Sequence, residues 1–156
     1  MALFDHGKYE EAIGHYSRAI SLKPNEAIFR YNRGNASAKL RQYKDAIEDY
    51  TMAIHLKLGY TDAYHNRGLA LANLGRYEKA IEDYNEVIRR KPDYFKAYYN
   101  MACLLALQKK VEPACRWLRE AINRGYKDWN HLKQDKDFDG IRNETCFVDL
   151  LKESKK

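Results

Sequence analysis

The sequence predicts an all-α protein made of antiparallel helical hairpins, and three observations lead to that prediction. The composition is 45% hydrophobic and 32% charged, which is typical of a folded and helix-rich chain. Segments of the 156 residues recur with a fixed period. Within each segment the apolar residues are spaced by three and four, as the buried stripe of an amphipathic helix requires.

The period is 34 residues, and it is clearest in two stretches that share most of their letters in order. They read YNRGNASAKLRQYKDAIEDY at residues 31–50 and YHNRGLALANLGRYEKAIEDY at residues 64–84. Small residues recur at equivalent positions of successive repeats, and each such set of positions forms a column. Two such columns are Gly34, Gly68 and Ala102, and Ala12, Ala46, Ala80 and Ala114. A fixed period of this length indicates one supersecondary unit that stacks on its own copies.

Each unit reads as two helices. Its small residues would let the two backbones approach closely, while Tyr, Leu and Ile fill the remaining groove. The connectors RQYK at 41–44 and GRYE at 75–78 are short, so neighbouring helices should be antiparallel. Pro24 and Pro92 mark the boundary between one unit and the next, because proline ends a helix.

These residues resemble the tetratricopeptide repeat (TPR) family. Its pattern of a small residue, Tyr, Ala, an aromatic residue, Ala and Pro is met by residues 27–60 and 61–94, and more loosely by residues 95–128. The resemblance implies stacked hairpins in a right-handed superhelix, an α-solenoid, with a concave groove usually used to bind peptides. Residues 129–156 leave the period and look like the capping helix that closes such an array. We therefore expect a single TPR domain over residues 1–156.

The amino-terminal segment, residues 1–26, matches only the end of one helix and all of the next. By this interpretation residues 8–22 are a repeat's second helix, with only MALFDH as partner. The edge of the array is then uncovered at this end. Either the chain is part of a longer protein, or another chain covers the edge. A homo-oligomer formed through the amino-terminal edge is therefore one alternative.

Several function classes are not expected. The net charge of +6 is spread along the helices, so a nucleic-acid partner is not favoured. No apolar run is long enough to cross a bilayer, and no signal peptide is apparent, so we expect a cytoplasmic protein without a membrane partner. Three cysteines, with no CxxC pair, argue against a disulfide framework and favour a reduced compartment.

We also expect no catalytic residue, no cofactor and no metal site. The five histidines show no HExxH spacing and no zinc-ligand pairing with cysteine. The run DKDFDG at 135–140 resembles the start of a calcium loop, but Cys146 stands where the loop needs a bidentate Glu. A helix start with acidic residues in its first turn explains that run better.

Arg33 and Arg67 stand where the resemblance implies a buried aliphatic residue. Sixteen residues after each of them comes an aspartate, Asp49 or Asp83. In the third unit both positions change together, to Met101 and Trp117. The joint change predicts an ion pair within each of the first two repeats. Its role would be structural, with a contribution of about 0–1 kcal/mol if the pair is partly exposed.

The candidate binding residues come from the family register. Asn32, Asn66 and Asn100 are spaced by 34 residues on the groove-lining helix that the resemblance implies. A ladder of amides could donate to and accept from the backbone of an extended peptide, although asparagine that merely caps or solvates a helix is the alternative. Neighbouring groove positions would select the ligand. They are Tyr31, Asn35, His65, Leu69, Lys96, Tyr99 and Cys103.

The TPR subfamily that grips acidic chaperone tails uses two Lys, two Asn and one Arg. By register Asn35, Asn66 and Lys96 match that set, whereas Tyr31 replaces a Lys and Asn100 replaces the Arg. Two of three cations are thus missing, and with them most charge-assisted hydrogen bonds to a terminal carboxylate. We therefore do not expect binding to chaperone tails.

The function that the sequence predicts is a non-catalytic protein-interaction scaffold, which takes an extended peptide of unknown identity in its concave groove. Three alternatives stay open at this point. They are self-assembly through the uncapped amino-terminal edge, a regulatory TPR fragment of a larger enzyme, and, least favoured, RNA binding.

Overall fold

The computed structural model describes residues 2–57 and 59–153, with side chains from Gly7 onward. Within those ranges the chain forms helices and no strand, so the predicted all-α class is confirmed. The α-helices are α1 (Ala2–Leu22), α2 (Ala27–Lys39), α3 (Tyr43–Leu56), α4 (Thr61–Asn73), α5 (Tyr77–Arg90), α6 (Phe95–Leu107), α7 (Val111–Asn123), α8 (Trp129–Gln134) and α9 (Thr145–Lys152), and a 3₁₀ helix covers Lys136–Ile141.

The chain divides into two compact units, residues 1–86 and residues 87–156. In the first unit α1 packs against α2, α2 against α3, and α3 against α4. In the second unit α6 packs against α7 and the 3₁₀ helix, and α7 packs against α9. These pairs of consecutive helices agree with the prediction from the sequence. None of the helices that the structure describes is both long and apolar enough to span a membrane.

Two glycines of the 34-residue column lie where a neighbouring helix approaches most closely. A Cβ atom on Gly34 would lie 2.9 Å from the ring of Tyr50, and one on Gly68 would lie 2.8 Å from the ring of Tyr84. Both tyrosine rings are almost completely buried. The predicted reason for the small residues, close approach of two backbones, is thus confirmed at these positions.

The amino-terminal segment differs from the prediction. Residues 2–22 form one continuous helix instead of the end of one helix followed by another. Gly7 lies inside α1, where a glycine costs only about 1 kcal/mol relative to alanine and does not by itself end a helix. The prediction that residues 8–22 form a separate second helix is therefore wrong.

The carboxyl-terminal segment packs onto α6 and α7, as expected of a cap. Its buried side chains are Leu132, Phe138, Ile141, Phe147 and Leu150. The acidic run begins a 3₁₀ helix, and Asp135 caps it by accepting a hydrogen bond from the backbone N–H of Asp137 at 3.0 Å. The predicted helix start is confirmed, although the helix is 3₁₀ and not α.

One expectation about the cysteines is wrong. Cys115 on α7 and Cys146 on α9 form a disulfide, with their Cα atoms 6.1 Å apart, while Cys103 is free and buried. The bonded residues are 31 positions apart, and only the packing of α9 on α7 brings them together. Spacing alone does not reveal such a pair. The small number of cysteines therefore no longer supports the prediction of a reduced compartment.

Candidate functional site

Three of the predicted binding residues form one hydrogen-bonded network in the first unit. The Nδ2 amide of Asn66 on α4 donates to Oδ1 of Asn35 at 2.8 Å and to the hydroxyl of Tyr31 at 3.1 Å, both on α2. The hydroxyl of Tyr50 on α3 also donates to Asn35 Oδ1, at 2.8 Å. Burial raises the pKa of Tyr50, so this hydroxyl stays protonated and remains a donor.

The network leaves a defined pair of polar atoms. Both N–H groups of the Asn66 amide are engaged, and Asn35 Oδ1 accepts two hydrogen bonds. The remaining capacity is one acceptor, Oδ1 of Asn66, and one donor group, Nδ2 of Asn35. A peptide bond offers the complementary pair, one N–H and one C=O. The two asparagines can therefore bind a peptide backbone as a matched pair, with Asn35 as the donor and Asn66 as the acceptor. The sequence pattern predicts instead that Asn66 alone provides both the donor and the acceptor.

An open cavity of about 470 Å³ lies beside this pair. Its wall combines amides and one cation with apolar and aromatic side chains. The lining residues are Asn35, Asn66, Asn73 and Lys39, together with Ala38, Tyr43, Tyr50, Leu69 and Ala70. Leu69 is 39% exposed, so part of its apolar side chain is open to a ligand. The cavity thus offers an apolar contact next to the matched polar pair.

Other predicted residues of the first unit have different surroundings. Tyr31 is half-buried, and its ring lies 4.8 Å from that of Tyr60. His65 is buried, with its ring 5.9 Å from Tyr84.

Asn32 is half-buried on α2 and does not line the cavity described above. Asn35, Asn66 and Leu69 are therefore the predicted residues that this cavity brings together.

The remaining predicted residues belong to the second unit. Lys96 is exposed and Asn100 is half-buried on α6. Tyr99 is only 7% exposed, and its ring stacks on that of Tyr126 at 4.4 Å. Its hydroxyl donates to Asp135. The role of Asn100 in a ladder of three amides stays a prediction.

The two predicted ion pairs are confirmed, and each is bidentate. Arg67 donates to the two carboxylate oxygens of Asp83 at 2.9 and 2.7 Å, and these bonds raise the pKa of Arg67. The aspartate side is buried, with Asp83 3% exposed. The small free energy expected for an exposed pair therefore does not apply.

Each arginine also has a second partner, which we did not predict from the sequence. Arg67 also donates to the Thr51 hydroxyl at 3.1 Å, and Ser17 takes the equivalent place for Arg33 at 3.0 Å. The signal was present, because Ser17 and Thr51 are 34 residues apart and each precedes its arginine by sixteen. Each arginine thus connects three consecutive helices.

Comparison with known families agrees with this architecture. A family model of the tetratricopeptide repeat matches residues 61–94, and a second TPR model matches residues 2–41. These stretches are tetratricopeptide repeats. No curated protein matches the sequence of the chain.

Solved TPR structures share the fold. YrrB, described as a TPR protein with an unusual peptide-binding site, superposes with a TM-score of 0.74 at 16% identity, over 95% of this chain and 77% of YrrB. MamA gives a TM-score of 0.73 at 27% identity, over 78% of this chain and 71% of MamA. The first TPR of Spaghetti (RPAP3), bound to the HSP90 peptide SRMEEVD, gives 0.57 at 29% identity, over 77% and 82%. The predicted TPR fold is therefore confirmed.

Proposed function

We propose that this TPR protein is a non-catalytic scaffold that binds an extended peptide segment at the cavity beside Asn35 and Asn66. The observation that carries the proposal is the matched pair described above, one amide donor and one amide acceptor at the rim of an open cavity. The TPR fold supports it, because the similar RPAP3 domain is a protein bound to a peptide.

The chemistry of the cavity indicates how such a peptide would be held. One peptide bond would pair with Asn35 Nδ2 and Asn66 Oδ1, which confers affinity without dependence on sequence. Leu69 and the ring of Tyr43 would contact a neighbouring apolar side chain of the peptide. This contact would favour peptides with an apolar residue at that position. Lys39 is the single cation in the lining, so a terminal carboxylate is not required for binding.

A random peptide library tests the proposal. We expect the wild-type protein to enrich peptides that a variant with Asn32, Asn66 and Asn100 all changed to Ala does not. The variant must retain its helical circular dichroism. Equal enrichment by both proteins would contradict the proposal. Comparing the triple variant with Asn66→Ala alone separates a ladder of three amides from the single site in the first unit.

A further inference from the structure

The second unit contains a cluster of metal-ligating side chains that the proposed peptide site does not use. Sγ of Cys103 and one carboxylate oxygen each from Asp135 and Asp137 all lie within 4.8 Å of one another. Nδ1 of His131 lies 3.9 Å from Oδ2 of Asp135. A thiol and two carboxylates thus converge, although 32 residues separate Cys103 from Asp135 in the sequence.

Packing fixes the backbone on both sides of the cluster. Cys103 lies on α6, and the two aspartates lie at the start of the 3₁₀ helix, which packs against α6. Phe138, completely buried, follows Asp137 directly. The position of each donor atom is therefore set by the core of the unit and not by a mobile loop.

The carboxylate of Asp135 is also held in place by its own hydrogen bonds. Oδ1 accepts from the backbone N–H of Asp137 at 3.0 Å, and Oδ2 accepts from the hydroxyl of Tyr99. Nδ1 of His131 lies within hydrogen-bond distance of the Tyr99 and Tyr126 hydroxyls, at 3.1 and 3.2 Å. Hydrogen bonds from surrounding residues that orient carboxylate ligands are a regular feature of metal sites.

Two half-buried carboxylates lie beside a buried thiol in this cluster. Cys103 is only 6% exposed, and its thiol faces Asp135 Oδ2 at 3.9 Å. Arg142 donates to the main-chain oxygen of Asp135 and to the carboxylate of Asp139, so it does not neutralise these side chains.

We propose that Cys103, Asp135 and Asp137 bind a divalent transition-metal ion, for which zinc is the best match. Three protein ligands leave the fourth position of a zinc site to water. Zinc accepts sulfur, nitrogen and oxygen ligands in a four-coordinate site, whereas calcium and magnesium prefer oxygen alone. The ion would connect α6 to the start of the 3₁₀ helix. Its role would be to stabilise the second unit.

The sequence pattern argues against metal for reasons that do not apply to this cluster. The calcium interpretation of residues 135–140 considers oxygen ligands from one loop only. The zinc interpretation considers Cys and His at close spacing along the chain. The cluster takes its sulfur from another helix, which neither pattern covers.

Titration of the full chain with Co²⁺ tests the proposal, because cobalt occupies zinc sites and is coloured. With the Cys115–Cys146 disulfide intact, Cys103 is the single free thiol of the protein. A thiolate-to-cobalt charge-transfer band must therefore come from Cys103. We expect this band in the wild type, its displacement by Zn²⁺, its loss in Cys103→Ser, and an affinity at least about tenfold lower in Asp137→Asn.

Asp139→Asn is the matched control. It makes the same change of charge two residues further on, at an exposed side chain that pairs with Arg142. We expect unchanged cobalt affinity. Zn²⁺ should raise the Tm of the wild type and of Asp139→Asn, but not that of Asp137→Asn, which keeps the side-chain volume and so tests the site even if Cys103→Ser folds poorly. Absence of the band in the wild type would overturn the proposal, as would equal affinity of Asp137→Asn and the wild type.

Discussion

The guanidinium of Arg33 donates to both carboxylate oxygens of Asp49 at 2.7 Å and to the hydroxyl of Ser17 at 3.0 Å. One side chain of α2 is thereby bound to α1 and to α3. Asp49 is 4% exposed, and Nη1 of Arg30 also lies 3.9 Å from its Oδ1. Arg67 repeats the arrangement one unit later. These contacts fix the helices that carry Tyr31, Asn35 and Asn66.

The first prediction concerns the second of these ion pairs. Arg67→Met introduces the residue that the third unit has at Met101, and it leaves the carboxylate of Asp83 buried without its partner. We expect the free energy of unfolding to fall by about 3–5 kcal/mol. Urea denaturation followed by circular dichroism measures the change.

The double variant Arg67→Met, Asp83→Leu is the control for that experiment. Removing both charges abolishes the unpaired buried carboxylate, so the double variant should be more stable than Arg67→Met alone. Additive losses from the two single changes would contradict the ion-pair account.

The second prediction concerns the close approach of α2 and α3. Gly34→Ala places a methyl group 2.9 Å from Tyr50 Cε1 and 3.3 Å from the main-chain oxygen of Ala46. We expect a loss of about 1–3 kcal/mol, because the buried ring and the backbone of α3 would both have to shift to admit the methyl group. Thermal and urea denaturation give the value.

Gly14→Ala is its matched control. Gly14 is also inside a helix, but no neighbouring helix or side chain that the structure describes comes within 4 Å of the place where the methyl group would be added. This change should stabilise the protein by about 0.5–1 kcal/mol, as alanine is the better helix former. The same sign for both variants would contradict the packing argument.

The third prediction concerns the disulfide between α7 and α9. Under denaturing conditions without reductant a thiol reagent should titrate one cysteine, and after reduction three. The variant Cys115→Ser, Cys146→Ser should lose about 3–4 kcal/mol, the loop-closure entropy for a bridge that spans 31 residues. Three reactive thiols before reduction would show that the bond does not form.

The fourth prediction concerns acidic chaperone tails. The peptide SRMEEVD, which the similar RPAP3 domain binds, should bind this protein weakly or not at all. By family register Tyr31 and Asn100 stand at two of the three cationic positions, and each lost charge-assisted hydrogen bond removes about 1.5–3 kcal/mol. Isothermal titration calorimetry settles the question. Binding as tight as that of peptides selected from a library would contradict this part of the account.

Some features followed from the sequence because they repeat with the period. The ion pair of Arg33 and Asp49 was predictable, since both positions change together in the third unit. The tight contact of Gly34 with Tyr50 followed from a column of small residues. Periodicity carries such information because every repeat packs against its neighbours in the same way.

Other features could not be predicted, because they depend on how elements pack outside the period. The hydrogen bond from Asn66 to Asn35 joins residues 31 positions apart in two different repeats. The disulfide of Cys115 and Cys146 depends on where α9 lies on α7. Neither distance is encoded by a local pattern, so both required the structure.

We propose above all that the Nδ2 donor of Asn35, which lines the cavity, holds a peptide carbonyl. Asn35→Asp keeps an oxygen for the hydrogen bonds from Tyr50 and Asn66, and it replaces that donor with an acceptor. Asn85→Asp makes the same change at an exposed residue of α5 outside the cavity lining. The affinity of a library-selected peptide for each protein, measured by fluorescence anisotropy, tests the claim most directly. The account predicts a loss of about 10- to 100-fold for Asn35→Asp and none for Asn85→Asp. Equal affinities of the two variants and the wild type would contradict it.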